Sequence, residues 1–300
     1  MTVYDCFPFF NENDLLELRL NQHWDFFDKF IITEANETHT GFPKPFNFDQ
    51  ERFKSYKSKI IYNQICGFAK EIRQHPELLD EHSVSDRAFK LQVTDDWIRD
   101  HFQGNYPLKV LNELQASDDD IVYISALDEI LNENGFNKGI EIFSDDKQLY
   151  YLRQGGISLK PPALSRPLFG FKLNMYAYKF NLFSQEVCGP AMTQVEVLKR
   201  CLPSSSRSLA LDTHDPIENA GWHFTFLDKA NGKQVLEKYR SWAHSRDTNP
   251  SSSRYFDIRN TGEAIQRMLD VYKPKKIDIS KDTHPHYLID NINKYEEYLL

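Results

Sequence analysis

Over the first 130 positions, apolar residues gather into short runs, and polar, helix-prone stretches separate them. "TVYDCFPF" (2–9), "DKFIITEA" (28–35) and "KIIYNQI" (59–65) are brief, β-prone and bounded by polar or turn-forming residues, which predicts three strands. "NENDLLELRLNQH" (11–23) sets Leu15, Leu16, Leu18 and Leu20 among acids and amides, which predicts a helix capped by Asn11 or Asn13. Gly41, Pro43 and Pro45 make 36–48 a loop. A helical pattern covers 85–102. Pro107 opens a second helix to Gln115, because proline is tolerated in a first turn. "DDDIVYISALDEI" (118–130) reads as a turn and then a buried strand that ends on Asp128 and Glu129. This alternation predicts an α/β domain with a central, mainly parallel sheet flanked by crossover helices.

The pattern beyond residue 131 is less regular. Aromatic-rich strands are predicted at 149–154 and 169–183, and a loop then a short strand over 204–227. Amphipathic helices are predicted at 232–245 and 287–300. No low-complexity linker divides the chain, so a single domain is expected.

Composition narrows the function classes. The 300 residues include 22 Phe and 15 Tyr, enough for a large core and far from a disordered composition. A net charge of −8 and no Lys/Arg block argue against a nucleic-acid partner, and "KPKKIDISK" (273–281) reads as a solvated loop. Cys6, Cys66, Cys188 and Cys201 show no C-x-x-C spacing, so a zinc knuckle has no support. No apolar run approaches a membrane span, and no signal peptide or anchor is seen. A soluble, cytoplasmic protein is the expectation. H-E-x-x-H, G-x-S-x-G, G-x-x-x-x-G-K-[ST] and G-x-G-x-x-G are all missing.

In a parallel α/β sheet, ligands bind beyond the carboxyl ends of the strands. Three polar clusters fall there: Asn11, Glu12 and Asp14; Glu34, Asn36 and Thr38; and Asp128 with Glu129. Any one alone is more often a helix cap, but three on one edge predict a site. Asp128 suits a hard divalent cation, which takes one or two carboxylates and completes its shell with phosphate oxygens. Arg99 and Gln103 are i, i+4 neighbours that reach a phosphate or a base on one reading; on the other, Arg99 is exposed and paired with a nearby acid. His223, between Trp222 and Phe224, reads as a core histidine before it reads as a ligand.

"VYDCFPFFNENDLLELRL" (3–20), "FIITEANETHTGFPKPFNF" (30–48), "WIRDHFQGN" (97–105), "DDIVYISALDEI" (119–130) and "GWHFTFL" (221–227) resemble, in this order, segments of glycosyltransferase family 17. The resemblance implies a GT-A-like fold, with 1–131 a nucleotide-sugar-binding half and 132–300 an acceptor-binding half of the same domain. It implies inverting transfer of N-acetylglucosamine or a related hexose from a UDP-sugar to a glycan or glycoprotein acceptor, with Mn²⁺ or Mg²⁺. On that basis Asp128 is the metal ligand and His223 a second one. Asn11, Glu12, Asp14, Glu34, Arg99, Gln103 and Glu129 face the nucleotide-sugar, and Asp215 or Glu218 is the general base. The family pattern ends Asp-x-Asp-Glu, but Ala126 stands at its first acid, which weakens the metal assignment. Gly104 stands where the family commonly has Arg. With no anchor, the chain fits a bacterial or viral relative. A metal-independent transferase and a non-catalytic nucleotide- or carbohydrate-binding relative both stay open.

Overall fold

The computed structural model describes residues 1–79, 95–144, 166–211, 216–229, 231–246 and 257–300. The first half of the chain builds β1 (Val3–Phe9), α1 (Asn13–His23), β2 (Lys29–Ala35), β3 (Ile60–Ile65), α2 (Phe68–Gln74), α3 (Asp95–Glu113), β4 (Ile121–Ile124), β5 (Glu129–Leu131) and α4 (Glu133–Ile142). The second builds β6 (Leu168–Ala177), β7 (Leu182–Gln194), α5 (Val195–Arg200), α6 (Pro203–Leu211), β8 (Gly221–Thr225), α7 (Lys233–Ser241), α8 (Thr261–Tyr272), β9 (Lys275–Lys276) and α9 (His286–Asp290). A 3₁₀ stretch, Ile292–Tyr298, follows.

One sheet runs in the order β3-β2-β1-β4-β7-β6-β8-β5, with β9 beside β7. Its first four strands are parallel, as the alternation predicts. Beyond β4 the sheet is mixed: β7 runs antiparallel to β4 and β6, β8 is parallel to β6, and β5 is antiparallel to β8. The mainly parallel expectation therefore holds only for the amino-terminal portion. The reason is local: β6 and β7 form a long hairpin, and a hairpin can only be antiparallel.

Strand side chains alternate between two cores. Phe7, Phe9, Phe30, Ile32 and Tyr123 pack on the α1 side with Leu16 and Leu20. Cys6, Ile31, Val122 and Ile124 face the other way, onto Phe102 and Leu111 of α3. Cys6 is thus the buried small hydrophobe its neighbours suggest.

Several boundaries differ from the sequence pattern. Pro107 lies inside α3 rather than opening a helix. Its neighbours Tyr106, Leu108 and Leu111 are all buried, and that packing outweighs one lost backbone hydrogen bond. Neither Asn11 nor Asn13 caps α1: the cap position is Glu12, with no side-chain cap bond. The Asn13 amide instead donates to the Asn47 carbonyl and the Asn11 amide to Glu237. The run 118–130 is two strands, with a turn between them that carries Ser125–Asp128. Residues 204–211 belong to α6 rather than to a loop. The strand expected at 149–154 and residues 85–94 of the expected helix lie outside the described residues.

Candidate active site

The turn after β4 is held from below by a buried charge cluster. Arg19, on α1, is completely buried and pairs with Asp5 of β1 through Nη2 at 2.5 Å and Nε at 3.0 Å. Its Nη1 donates to the carbonyls of Ala126 (2.8 Å), Leu127 (3.0 Å) and Glu129 (2.8 Å), and Nη2 to Ser125 Oγ (2.6 Å). His23 completes the cluster. Its Nε2 accepts the Leu131 N–H at 2.9 Å, so Nδ1 carries the proton and donates to Asp5 at 2.8 Å. One helix thereby ties β1, the turn and β5 together. The Ala126 backbone is fully engaged, its carbonyl by Arg19 and its N–H by the Glu129 carboxylate at 2.6 Å.

Pairing of β5 with β8 brings the turn to the Gly-Trp-His-Phe segment, with Glu129 opposite His223 and Leu131 opposite Gly221. Gly221 has φ +147°, and a Cβ there would collide with the Ile130 carbonyl and lie 2.8 Å from Leu131 Cα. Only glycine permits that approach. The Phe224 N–H donates to the Asp128 carbonyl at 2.8 Å. The Asp128 side chain then meets two nitrogens: His223 Nε2 lies 3.5 Å from Oδ1 and Lys238 Nζ 2.9 Å from Oδ2. Burial alone would raise the Asp128 carboxyl, but the charges of Lys238 and then His223 outweigh it and hold the group well below its ordinary value. Lys238 comes from α7, which turns Val235 and Tyr239 into the core and carries Lys238 on the adjoining face.

Asp128 and Lys238 line a cavity of about 320 Å³. Residues 10–15, just past the end of β1, form another wall, and Arg52, Phe180, Phe226, Lys229 and Tyr298 contribute to the rest. The cavity therefore opens between the carboxyl ends of β1 and β4, where the chain path switches direction and open α/β sheets bind their ligands. Its charged lining is balanced: Glu12, Asp14 and Asp128 against Arg52, Lys229 and Lys238. Asp14 draws in Arg52 at 2.7 Å, Lys229 at 3.1 Å and the Tyr298 hydroxyl at 2.9 Å.

Of the candidates from sequence, Asn11, Glu12, Asp14 and Asp128 are brought together here, with His223 behind Asp128. The others are not among the cavity-lining residues. Glu34 is buried and accepts from Lys44, the Asn47 and Phe48 amides and the Tyr62 hydroxyl, which pins the 36–48 loop. Arg99 pairs with Asp96 at 3.5 Å and donates to the His39 carbonyl, and Gln103 bonds His39 and the Thr33 carbonyl. Glu129 points away, onto Arg207 at 2.6 Å. Glu218 is exposed, pairs with Lys172 at 3.1 Å and precedes β8, whereas the cavity lies past that strand's other end. Asp215 lies outside the described residues. Lys238, Lys229, Arg52 and Glu237 were not singled out from the sequence. Only Lys238 left a trace there, three residues after inward-facing Val235 and one before inward-facing Tyr239.

The donor set can be tested against Mn²⁺ or Mg²⁺. Asp128 Oδ1 and His223 Nε2 are the two candidate donors, and among the described residues no cluster of three His, Cys, Asp or Glu side chains could hold a metal. His223 Nδ1 is buried without a hydrogen-bond partner, whereas a metal-bound imidazole is normally oriented through its second nitrogen. The other Asp128 oxygen is already neutralised by Lys238. A dication roughly 4 Å from that ammonium meets a repulsion of about 8 kcal/mol at an effective dielectric near 20. The residues present do not fit a resident divalent metal.

Among the described residues, no helix is long and apolar enough to cross a membrane. A comparison with curated proteins gave no match. The model of glycosyltransferase family 17 matches residues 1–138, a stretch that takes in β1 to β5, α1 and the turn bearing Asp128. That match, just under half of the chain, supports assigning residues 1–138 to glycosyltransferase family 17.

Proposed function

We propose that the chain is an inverting glycosyltransferase that moves a hexose, N-acetylglucosamine or a relative, from a UDP-sugar to a glycan acceptor. The observation that carries this reading is the position of the cavity at the β1/β4 switch, with Asp128 in its wall beside a buried ammonium. The parallel β3-β2-β1-β4 portion, extended by antiparallel strands, suits a GT-A-like arrangement. Residues 1–131 then present most of the donor-side edge, and residues 132–300 the acceptor side together with Lys229 and Lys238 of the shared cavity.

The chemistry is an in-line displacement. The acceptor hydroxyl oxygen bonds to the anomeric carbon, and the bond from that carbon to the β-phosphate oxygen breaks, leaving its electron pair on UDP. The acceptor proton passes to a carboxylate. Glu237 suits that role better than Glu218 does. Its Oε2 accepts at 2.9 Å from the amide of Asn11, which lines the cavity. Partial burial and the nearby Glu12 charge raise its pKa above the ordinary glutamate value, which makes it a stronger base. Phe10, Phe180, Phe226 and Tyr298 supply the apolar faces against which sugar and base rings pack.

Donor hydrolysis tests the reading without knowledge of the acceptor. Purified protein incubated with a panel of UDP- and GDP-sugars should release UDP from at least one of them. If no nucleotide-sugar is bound or hydrolysed, the transferase reading falls and the non-catalytic one replaces it.

A further inference from the structure

We infer that this chain transfers its sugar without a divalent metal, the diphosphate of the donor being neutralised by Lys238 together with Lys229. The inference rests on the donor-site reading of the cavity and adds to it the identity of the cation.

Lys238 is held as a fixed charge rather than as a mobile surface lysine. Its Nζ lies 2.9 Å from Asp128 Oδ2 and 3.3 Å from Thr225 Oγ1, and 5.0 Å from the centre of the Phe226 ring. An ammonium has three N–H donors, and these two oxygens take two of them. The third is left for an anion in the cavity that Lys238 lines. Lys229 lines the same cavity, 3.1 Å from Asp14 Oδ2, 3.9 Å from Glu297 Oε2 and 5.6 Å from the centre of the Tyr298 ring. Both ammonium groups are therefore positioned before a ligand arrives, as electrostatic stabilisation of a leaving group requires.

Asp128 then has a different task from the one its sequence position suggests. It orients Lys238 and offsets its charge when the cavity is empty. As the anomeric C–O bond breaks, negative charge grows on the β-phosphate oxygen, and Lys238 donates its remaining N–H to it. The acceptor proton goes to Glu237, so protons and electrons balance with no metal and no further reactant. Ala126 fits the same scheme. The position that would carry a second acid bears a methyl group, and its backbone is spent on Arg19 and Glu129.

The test is titration calorimetry of the full chain with UDP, and donor hydrolysis, each in EDTA and in Mn²⁺ or Mg²⁺. UDP affinity and turnover that are unchanged between EDTA and metal support the inference. Lys238→Met should then lower turnover by about 10²-fold, with no recovery on adding Mn²⁺. Lys229→Met should weaken UDP binding while its more exposed position leaves the thermal midpoint near that of the parent. UDP binding or turnover lost in EDTA and restored by Mn²⁺ overturns metal independence and leaves the donor site standing. Failure to bind UDP or GDP under every condition overturns both. The calorimetric comparison uses the unaltered protein, so a variant that fails to fold does not decide the outcome.

Discussion

At the scale of single residues, the site turns on one ion pair. Asp128 was legible because an apolar run that stops on acids is where strand-edge chemistry sits. Its partner was not, because Lys238 lies 110 positions away on an amphipathic helix whose pattern says only which face is wet. The same limit applies to Glu34, Arg99, Gln103 and Glu129, which are not among the cavity-lining residues. Glu34 and Glu129 sit at strand ends and Arg99 and Gln103 on α3, and the partners of all four are backbone groups and side chains that only the folded chain brings near. Asp128→Asn should cut transfer by at least about 10²-fold. It should also destabilise the protein by roughly 1–3 kcal/mol, because Lys238 is left with an unmatched charge in a partly buried site. A combined Asp128→Asn, Lys238→Met variant should unfold at a higher temperature than the two single losses predict when added, which a double-mutant cycle by thermal melts will read. Transfer at the parent rate in Asp128→Asn removes this residue from the mechanism. A second residue-scale expectation concerns Glu237. With its pKa raised above 4.5, transfer should fall on acidification with a midpoint above that value, and Glu237→Gln should flatten this acid limb and slow turnover at every pH. An unchanged acid limb in the variant assigns the base elsewhere.

At the scale of elements, β1, β2, β3 and the leucine-bearing α1 follow closely from periodicity, since each satisfies its own pattern locally. The failures come where a contact distant in sequence decides. "YISALDEIL" looks like one continuous strand because no glycine or proline marks the turn and its acids come only at the end of the apolar run. What breaks it after Ile124 is Arg19, which takes three carbonyls and a hydroxyl of 125–129. A leucine-rich helix gives no sign that its arginine faces inward. Replacing Arg19 with Met should therefore do more than remove a charge. It leaves the Asp5 carboxylate buried with only His23, and the carbonyls of Ala126 and Leu127 without their donor. The expected cost is about 3–5 kcal/mol, read as a lower urea midpoint, with donor hydrolysis lost because the Asp128 turn is no longer held. Parent-like stability in Arg19→Met would show that the cluster does not brace the turn.

At the scale of the whole molecule, the family match ends at residue 138, yet Phe180, Lys229, Lys238 and Tyr298, all beyond it, complete the cavity. The carboxyl-terminal segment is fastened by Lys179, whose ammonium donates to the carbonyls of Asp228, Lys229 and Glu297. Stability of this assembly should depend on pH in two separate windows. His23 and His284 are both held below 6.5, in each case by burial, against the favourable pull of Asp5 on His23 and of the Phe180 carbonyl on His284. A base whose folded pKa is depressed binds fewer protons folded than unfolded, so its contribution is complete above 6.5 and is lost as pH falls through the lowered value. Asp5 and Asp128 act later. Burial opposes their ionisation, but Arg19 with His23, and Lys238 with His223, reverse the balance and lower both below 3.8. Their contribution is complete above 3.8 and is lost only below it. Unfolding free energy from urea titrations should thus be level near neutrality. It should fall by up to about 1.4 kcal/mol per pH unit for each histidine beneath pH 6.5, and steepen again beneath pH 4. His23→Gln, which keeps a donor and an acceptor but cannot titrate, should halve the first slope and leave the second, because Asp5 keeps Arg19 and Asp128 keeps Lys238. An identical slope in His23→Gln and parent between pH 7 and 5 would mean that the acid sensitivity has another source, and that the Asp5–Arg19–His23 cluster is not the proton-linked brace of the site.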